Sequence, residues 1–359
     1  MTSHMKVLMW MPRGWNVPGG HRVQLQRTAA ALEDLGVSVT QCHQEVAPVG
    51  YWSIIHGFGL RPSEVRYARD SADRVVISTI YWNRRYRHEP DYMGSWWLTR
   101  HRVGLALRTG TAALKGANHG IKMYVSLADR ASALAFEGAD VLLPNSEGEA
   151  TAIKEELGVT TRMVVVPNAV DEGLFSLAVR PIAQRTEVVC LGRIEPHKNQ
   201  LGLIRSLRSS GLTLRIVGAA HPDHPGYAAS CRREAGPNVE FSSELLHNST
   251  AFHEMLAGVR VSVLPSWFET TGLSNLEAAA TGANVVTTDR GYAREYFKEE
   301  AWYCDPALSA SILHAVVCAW DHPGHPSLRE RIRREFTWAT CARITLEAYK
   351  MALENGRRN

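Results

Sequence analysis

Short apolar segments alternate with helical segments along almost the whole chain, and this alternation restricts the possible folds more than any other feature. The first series contains the apolar segments KVLMW, VSVTQC, SIIHGFG, RVVISTIYW, MYVSLAD and ADVLLPNS. The second series follows the linker LAVRPIAQRT and contains EVVCLGRI, LTLRIVGAA, NVEFS, VRVSVLPS, NVVTTD and AWYCDP. Strand and helix alternation of this kind predicts doubly wound α/β sheets that are covered by helices on both faces.

Two α/β domains in tandem are therefore predicted, because 359 residues are too many for one ordinary core. The predicted N-terminal Rossmann-like domain covers residues 1–175, and a second such domain covers residues 176–335. Residues 336–359 complete the amphipathic segment LRERIRREFTWATCARITLEAYKMAL, whose apolar residues fit packing better than membrane anchoring.

Composition indicates a soluble globular protein, with 45% hydrophobic and 21% charged residues. No apolar run is long enough to span a bilayer, and no secretory signal precedes Lys6. The six cysteines are scattered without a CxxC pair, which disfavours zinc or a disulfide framework and indicates reduced core thiols. We expect a cytoplasmic protein, with peripheral association at a membrane as an open alternative.

Four loops are the expected places for chemistry, because ligands of such sheets bind outside the carboxyl ends of the strands. These loops are PRGWNVPGG, GRIEPHKN, VGAAHPDHP and PSWFETTGLS. The first contains Gly19 and Gly20, where a phosphate could approach the backbone at a helix amino terminus. A tight turn without a ligand is the alternative. Since the pair is not GxGxxG, a nicotinamide-binding domain is disfavoured.

Two basic residues, Arg193 and Lys198, follow a predicted strand in the loop GRIEPHKN. A guanidinium that can bind two oxygens, with an ammonium nearby, suits a diphosphate. The alternative is a solvated basic loop. Position at the carboxyl end of a strand favours the phosphate interpretation.

The segment FETTGLSNLEA carries Glu269 and Glu277, eight positions apart. Gly272 precedes a predicted helix whose free N–H groups would face the same cleft. Glu269 should lie in the loop and Glu277 in the helix, so the two should not form a metal pair. The chain also lacks a DxD motif, the commonest carboxylate route to a metal-bound nucleotide sugar. Two solvated glutamates beside a helix start are the alternative.

Several segments resemble the retaining glycosyltransferase family 4, which has the GT-B fold and an EX7E motif. They are GRIEPHKN, the Glu269-x7-Glu277 spacing, LEAAATGANVV and the tail FTW…AYKMAL. PGG before a helix, LLPNSEGEA and VVVPNAVDEGLF resemble the same family's first domain and interdomain crossing. The resemblance covers nearly the whole chain. It implies an acceptor-binding domain and a nucleotide-sugar-binding domain that face a central cleft. It also implies that the C-terminal helix packs back on the N-terminal domain.

The resemblance implies roles for residues of the cleft. Glu269 would bind hydroxyls of the donor sugar, and Glu277 would bind the ribose of the nucleotide. Arg193 and Lys198 would neutralise the diphosphate leaving group. Further donor contacts are implied at the turns and the helix start, at Gly19, Gly20, Gly272, Leu273 and Ser274.

Some positions depart from the family pattern. The strand RVVISTIYW brings Tyr81 to the position where many members have a histidine near the donor sugar. Tyr81 and His88 are the candidates to replace that histidine. His56 is a further candidate sugar or acceptor contact, although a histidine satisfied within the cleft wall is the preferred alternative. Thr270 and Thr271 stand where the family commonly has glycine and an aromatic residue.

The acceptor cannot be deduced from motifs. Residues 61–122 contain twelve basic residues against five acidic ones, which could steer an anionic acceptor such as a lipid phosphate or a nucleic acid. Solvated arginines are an equally good alternative, and a natural-product aglycone or a polysaccharide also stays open. The interleaved aromatic residues either stack on a ligand or pack as a lid; they are Trp82, Tyr86, Tyr92, Trp96 and Trp97.

The predicted function is retaining transfer of a sugar from a nucleotide-diphosphate sugar to an unidentified acceptor. UDP is the favoured nucleotide, and front-face attack without a cofactor or metal is the expected mechanism. One alternative is an epimerase or hydrolase of nucleotide sugars on the same fold. The other is a homologue that binds a nucleotide sugar without turnover.

Overall fold

The computed structural model describes residues 5–13, 19–82, 86 and 117–354, with side chains from residue 127 onward in the last range. In chain order, the helices and strands described for the first domain are β1 (Lys6–Trp10), α1 (Gly20–Asp34), β2 (Ser38–Cys42), β3 (Trp52–Phe58), α2 (Pro62–Ser71), β4 (Ala72–Ser78), α3 (Ala117–Glu137), β5 (Val141–Leu143) and α4 (Glu147–Leu157).

The second domain and the tail contain the remaining described elements. They are β6 (Glu187–Leu191), α5 (Gln200–Leu207), β7 (Leu214–Val217), α6 (Pro225–Glu234), β8 (Val239–Ser242), α7 (Thr250–Gly258), β9 (Val259–Leu264), α8 (Leu273–Ala280), β10 (Asn284–Thr288), α9 (Ala293–Phe297), β11 (Trp302–Cys304), α10 (Ser309–Asp321), α11 (Pro326–Glu335) and α12 (Trp338–Glu354). Short 3-10 turns lie at Glu172–Ser176, Ile182–Gln184 and Pro196–Lys198.

Both sheets are parallel throughout their described strands, as the alternation of strands and helices predicts. The first sheet has the order β2-β1-β3-β4-β5, and the second has the order β11-β10-β9-β6-β7-β8. The strand order of each sheet therefore reverses once, between β1 and β3 in the first sheet and between β6 and β9 in the second. Ligands of open parallel sheets bind at such points, outside the carboxyl ends of the strands.

Burial explains why the strand segments are continuously apolar rather than alternating. Four of the five residues of β1 and all five of β10 are buried, because helices cover both faces of each sheet. All six cysteines are free thiols; five are buried and Cys318 is partly exposed.

The C-terminal helix α12 returns to the first domain, as predicted. Its residues Trp338, Leu346 and Tyr349 belong to the same apolar core as Leu25 and Leu32 of α1. The apolar face of this helix is thus occupied by packing. No helix in the described part of the chain is long and apolar enough to cross a membrane.

One expectation about an individual element is wrong. MYVSLAD lies within α3 and is not a strand, because a short apolar run does not by itself distinguish a strand from a helix. The tail is helical, as expected, and consists of the two helices α11 and α12. The break lies at Phe336 and Thr337, where the Thr337 hydroxyl accepts a hydrogen bond from the Thr340 backbone N–H at 3.2 Å.

Candidate active site

The predicted site loops meet where the strand order of each of the two sheets reverses. Arg193 and Lys198 follow β6, and Glu269 follows β9, the strand that neighbours β6. Gly19 and Gly20 stand between β1 and α1 in the first domain. The carboxyl ends of these strands bring together residues that are far apart in the sequence.

Lys198 and Glu269 form an ion pair at the centre of this region. The Lys198 Nζ lies 2.5 Å from Glu269 Oε1, and the Ser266 hydroxyl donates to the same oxygen at 2.6 Å. Glu269 is buried, and these partners offset the cost of removing its carboxylate from water. The two residues for which the resemblance implies contacts to the sugar and to the diphosphate are therefore direct neighbours.

The backbone at Glu269 is fixed by a close approach of Gly291. Glu269 and Gly291 form an isolated parallel bridge, and a Cβ atom on Gly291 would lie 2.1 Å from the Glu269 carbonyl oxygen. Gly291 also has a φ of 112°, which disfavours other residues. Only glycine fits beside the Glu269 loop without a backbone shift.

Arg193 faces the other domain. A Cβ atom on Gly19 would lie 3.7 Å from the Arg193 guanidinium carbon, so the glycine turn and the guanidinium are in contact range. Within its own loop, Arg193 Nη2 lies 3.2 Å from Glu195 Oε1. The Glu195 side chain is mostly buried, and it therefore orients the guanidinium.

The helix α8 begins beside the same turn. Gly272 has a φ of 74°, in the left-handed region, and among the described residues no side chain caps the first N–H groups of the helix. A Cβ atom on Gly20 would lie 3.8 Å from Leu273 Cδ2, and the Ser274 hydroxyl donates to the Leu191 carbonyl at 2.8 Å. The uncapped N–H groups add positive potential near Arg193 and Lys198.

Glu277 has different partners from Glu269, which agrees with the expectation that the two carboxylates do not form a pair. It is buried in the second turn of α8, and its Oε1 lies 2.6 Å from His247 Nε2. In the part of the chain that the structure describes, no group of three or more His, Cys, Asp and Glu residues could hold a metal ion.

His21 is a site residue that the motifs did not reveal. It directly follows Gly20 on the first turn of α1 and lies within electrostatic range of both site cations. Burial and the charges of Arg193 and Lys198 lower its pKa to about 4. An uncharged imidazole therefore stands beside the two cations at neutral pH; its place after the glycine pair was the only available signal.

The three candidates for sugar or acceptor contacts differ in their surroundings. His56 lies inside β3 and is buried; its Nδ1 lies 2.7 Å from the Tyr349 hydroxyl and its Nε2 lies 2.8 Å from the Ser78 hydroxyl. These contacts match a satisfied core histidine. The Tyr81 hydroxyl donates to Glu156 at 2.9 Å. His88 lies outside the described residues.

Aromatic residues after β4 contact the second domain. The Trp82 ring stacks on His197 with centroids 5.2 Å apart, and the Tyr86 hydroxyl lies 3.1 Å from His197 Nδ1. Tyr86 also stacks against Phe268, the residue before Glu269, with centroids 6.5 Å apart. The described part of the aromatic group thus bridges the two domains. Tyr92, Trp96 and Trp97, and most of the basic residues in 61–122, lie outside the described residues.

A buried carboxylate that sequence reasoning missed lies on a helix that makes a second interdomain contact. Glu149 of α4 accepts hydrogen bonds from the Thr79 hydroxyl at 2.8 Å and the Tyr81 N–H at 2.6 Å. The amino terminus of the same helix is capped by Glu295 of α9, which accepts from the Gly148 N–H at 2.6 Å. Burial and the Glu295 charge raise the pKa of Glu149 to about 7, against the effect of its hydrogen bonds.

Part of the chain is similar in sequence to known proteins. Residues 179–334 match the family model described as "Glycosyl transferases group 1". Among curated proteins, glycogen synthase from Mycobacterium tuberculosis is 28% identical over 209 residues, which are 55% of this chain and 50% of that protein. The chain thus spans about half the length of the curated relatives it matches.

Solved structures extend the likeness to the whole chain. Sucrose-phosphate synthase from Thermosynechococcus elongatus has a TM-score of 0.73 at 15% identity and covers 98% of this chain and 100% of its own. The Anabaena HepE protein in complex with UDP-glucose has a TM-score of 0.64 at 17% identity, over 97% of this chain and 100% of its own. The fold is GT-B.

The predicted fold class is therefore confirmed. The predicted enzyme class, a glycosyltransferase, agrees with the match of residues 179–334 to the group 1 model. Membership of family 4, the role of the EX7E spacing and the roles of the individual site residues stay predictions.

Proposed function

We propose that this chain transfers a glycosyl residue from a nucleotide-diphosphate sugar to an acceptor hydroxyl, with retention of the anomeric configuration. The observation that carries the proposal is the Lys198–Glu269 pair at 2.5 Å, with Arg193 and the uncapped start of α8 in the neighbouring loops. Cationic and N–H groups are gathered where a diphosphate would need them, and a carboxylate stands beside them to bind sugar hydroxyls.

The charges suit departure of a nucleoside diphosphate. Breaking the bond between the anomeric carbon and the phosphate oxygen leaves negative charge on the phosphate. Lys198, Arg193 and the α8 N–H groups would stabilise that charge in a partly buried site. In front-face attack, the acceptor oxygen bonds to the anomeric carbon and its proton passes to the departing phosphate oxygen. The two cations supply the positive charge for this step, so we propose transfer without a metal or cofactor.

UDP is the proposed nucleotide. The support is the similarity in fold to the Anabaena HepE protein, whose structures contain UDP and UDP-glucose. For the acceptor we propose an anionic molecule, a lipid phosphate or a nucleic acid, from the basic excess in residues 61–122. Activity on an anionic acceptor should fall steeply with added salt.

The first test is a donor screen. UDP-, GDP-, ADP- and dTDP-sugars are compared by thermal shift, because a ligand that binds the folded state raises its apparent stability. The best donor is then incubated with an acceptor panel, and the anomeric configuration of the product is determined by NMR. Release of free sugar or an epimer from the donor alone, with no acceptor product, would contradict transfer.

A comparison of the central ion pair with an exposed ion pair tests the assignment of the site. Lys198→Ala and Glu269→Ala remove the central pair, whereas Lys350→Ala and Glu347→Ala remove an exposed pair on α12 with a separation of 2.7 Å. We expect the first two variants to reduce kcat/KM by about 100-fold or more, and the second two to leave it unchanged. Equal activities in the two sets would exclude the assignment.

A further inference from the structure

We propose that His247 is a positioning residue that fixes the Glu277 carboxylate for the ribose of the nucleotide. The inference rests on the proposed function, because it gives Glu277 a ribose to bind. It adds a residue from the loop after β8 that belongs to none of the motifs in the sequence.

The contact between the two side chains is direct. His247 Nε2 lies 2.6 Å from Glu277 Oε1, and only 7% of the Glu277 side chain is exposed. A carboxylate has about four lone-pair positions, so one hydrogen bond from an imidazole leaves others for ribose hydroxyls. The imidazole thus removes the rotational freedom of the carboxylate and keeps its capacity to accept.

A second carboxylate faces the other side of the imidazole. His247 Nδ1 lies 4.0 Å from Asp171 Oδ2, and Asp171 also accepts from Asn248 Nδ2 at 2.5 Å. Arg27 of α1 completes the group, with Nη2 at 3.2 Å from the same Asp171 oxygen. Asp171 directly precedes the 3-10 turn Glu172–Ser176. Through Asp171 and Arg27, the contacts lead from Glu277 to helix α1 of the first domain.

Packing holds the ring in its place. The His247 and Phe252 rings have centroids 5.1 Å apart, and Asn248 takes a left-handed conformation with a φ of 61°. Ser249 then caps α7 by accepting from the Phe252 N–H at 3.2 Å. The loop is therefore built so that one residue meets both carboxylates.

The charges favour a protonated imidazole. Burial and the nearby Arg27 lower the pKa of His247, but the hydrogen bond that its ring donates to Glu277 and the charges of Glu277 and Asp171 outweigh them and raise the pKa above its ordinary value. The charged ring binds Glu277 more firmly than a neutral one does. Since the pKa is raised, this contribution is present at low pH and is lost as the pH rises through it.

The binding experiment uses isothermal titration calorimetry of UDP, GDP, ADP and dTDP between pH 6 and 9. His247→Ala removes the hydrogen bond, and His247→Gln keeps a neutral donor without a titrating group. We expect the affinity of the wild type for its preferred nucleotide to fall as the pH rises. The alanine variant should bind about tenfold more weakly, as for one lost charge-assisted hydrogen bond, and the glutamine variant should lose the pH dependence.

The control is His314→Gln, an exposed histidine on α10 of the same domain, which should bind like the wild type. If both His247 variants bound the nucleotide with the affinity and pH profile of the wild type, this inference would be overturned and the proposed function would stand. No binding of any of the four nucleotides by the wild type would instead remove the proposed function.

An NMR titration tests the contact without any nucleotide. The imidazole of His247 should titrate above 6.5, and Glu277→Gln and Asp171→Asn should each lower its pKa. A titration that neither substitution changes would contradict the arrangement of charges, whatever the nucleotide data show.

Discussion

Asn168 Nδ2 donates a hydrogen bond of 3.0 Å to Thr271 Oγ1, and this contact joins the interdomain crossing to the loop that carries Glu269. Both residues are buried. Thr271 is one of the two threonines that depart from the family pattern. Thr271 thus supplies a hydroxyl that binds the crossing segment.

Thr271→Val should destabilise the protein by about 1–3 kcal/mol, because it leaves the buried Asn168 amide without an acceptor. Valine keeps the shape of threonine, so the loss can be attributed to the hydroxyl. Urea unfolding measures the change, and Thr270→Val, at a partly exposed position in the same loop, should stay within about 0.5 kcal/mol of the wild type. Equal stabilities of the two variants would show that the Asn168 contact contributes nothing.

A second prediction concerns Glu195, whose Oε1 lies 3.2 Å from Arg193 Nη2. Glu195→Gln keeps the size of the side chain but removes the charge that orients the guanidinium. We expect kcat/KM for the nucleotide sugar to fall about tenfold while the melting temperature changes little. Glu240→Gln, at an exposed position on β8, is the control. Full activity of Glu195→Gln would mean that the guanidinium is held by other contacts.

The sequence predicted which loops lie at the edges of the two sheets, because that prediction depended only on topology. Once two parallel sheets are recognised, the loops after their strands must lie at one edge of each sheet. Lys198 after β6 and Glu269 after β9 accordingly meet, although they are 71 positions apart.

Residues that act through tertiary contacts were not predictable in this way. His247 lies in a loop without a motif, and only the packing of α7 and α8 shows that it meets Glu277. Glu149 looks like a surface glutamate at a helix start, yet it is fully buried, and three donors converge on it. The α3 segment was wrongly predicted since local periodicity in a short run does not separate helix from strand.

A third prediction tests the close approach of two backbones. Gly291→Ala would place a Cβ atom 2.1 Å from the Glu269 carbonyl oxygen at a φ of 112°. The loop must then move, so we expect a loss of about 2–3 kcal/mol in the free energy of unfolding and a large drop in activity. Gly258→Ala has open space at its Cβ position and is the control. A fully active, stable Gly291→Ala variant would show that the loop accommodates the methyl group.

The last prediction concerns the dependence of stability on pH. The pKa of Glu149 is raised from 4.5 to about 7, so the folded state keeps a proton that the unfolded state releases between these values. Stability from this group is present below pH 4.5 and falls as the pH rises towards 7, by about 3 kcal/mol in total. Glu149→Gln cannot titrate, so it should lose less stability than the wild type between pH 5 and pH 7.5 in urea unfolding. Glu155→Gln, exposed on the same helix, should keep the wild-type dependence. Parallel pH profiles for the wild type and Glu149→Gln would place the titration of Glu149 outside this range.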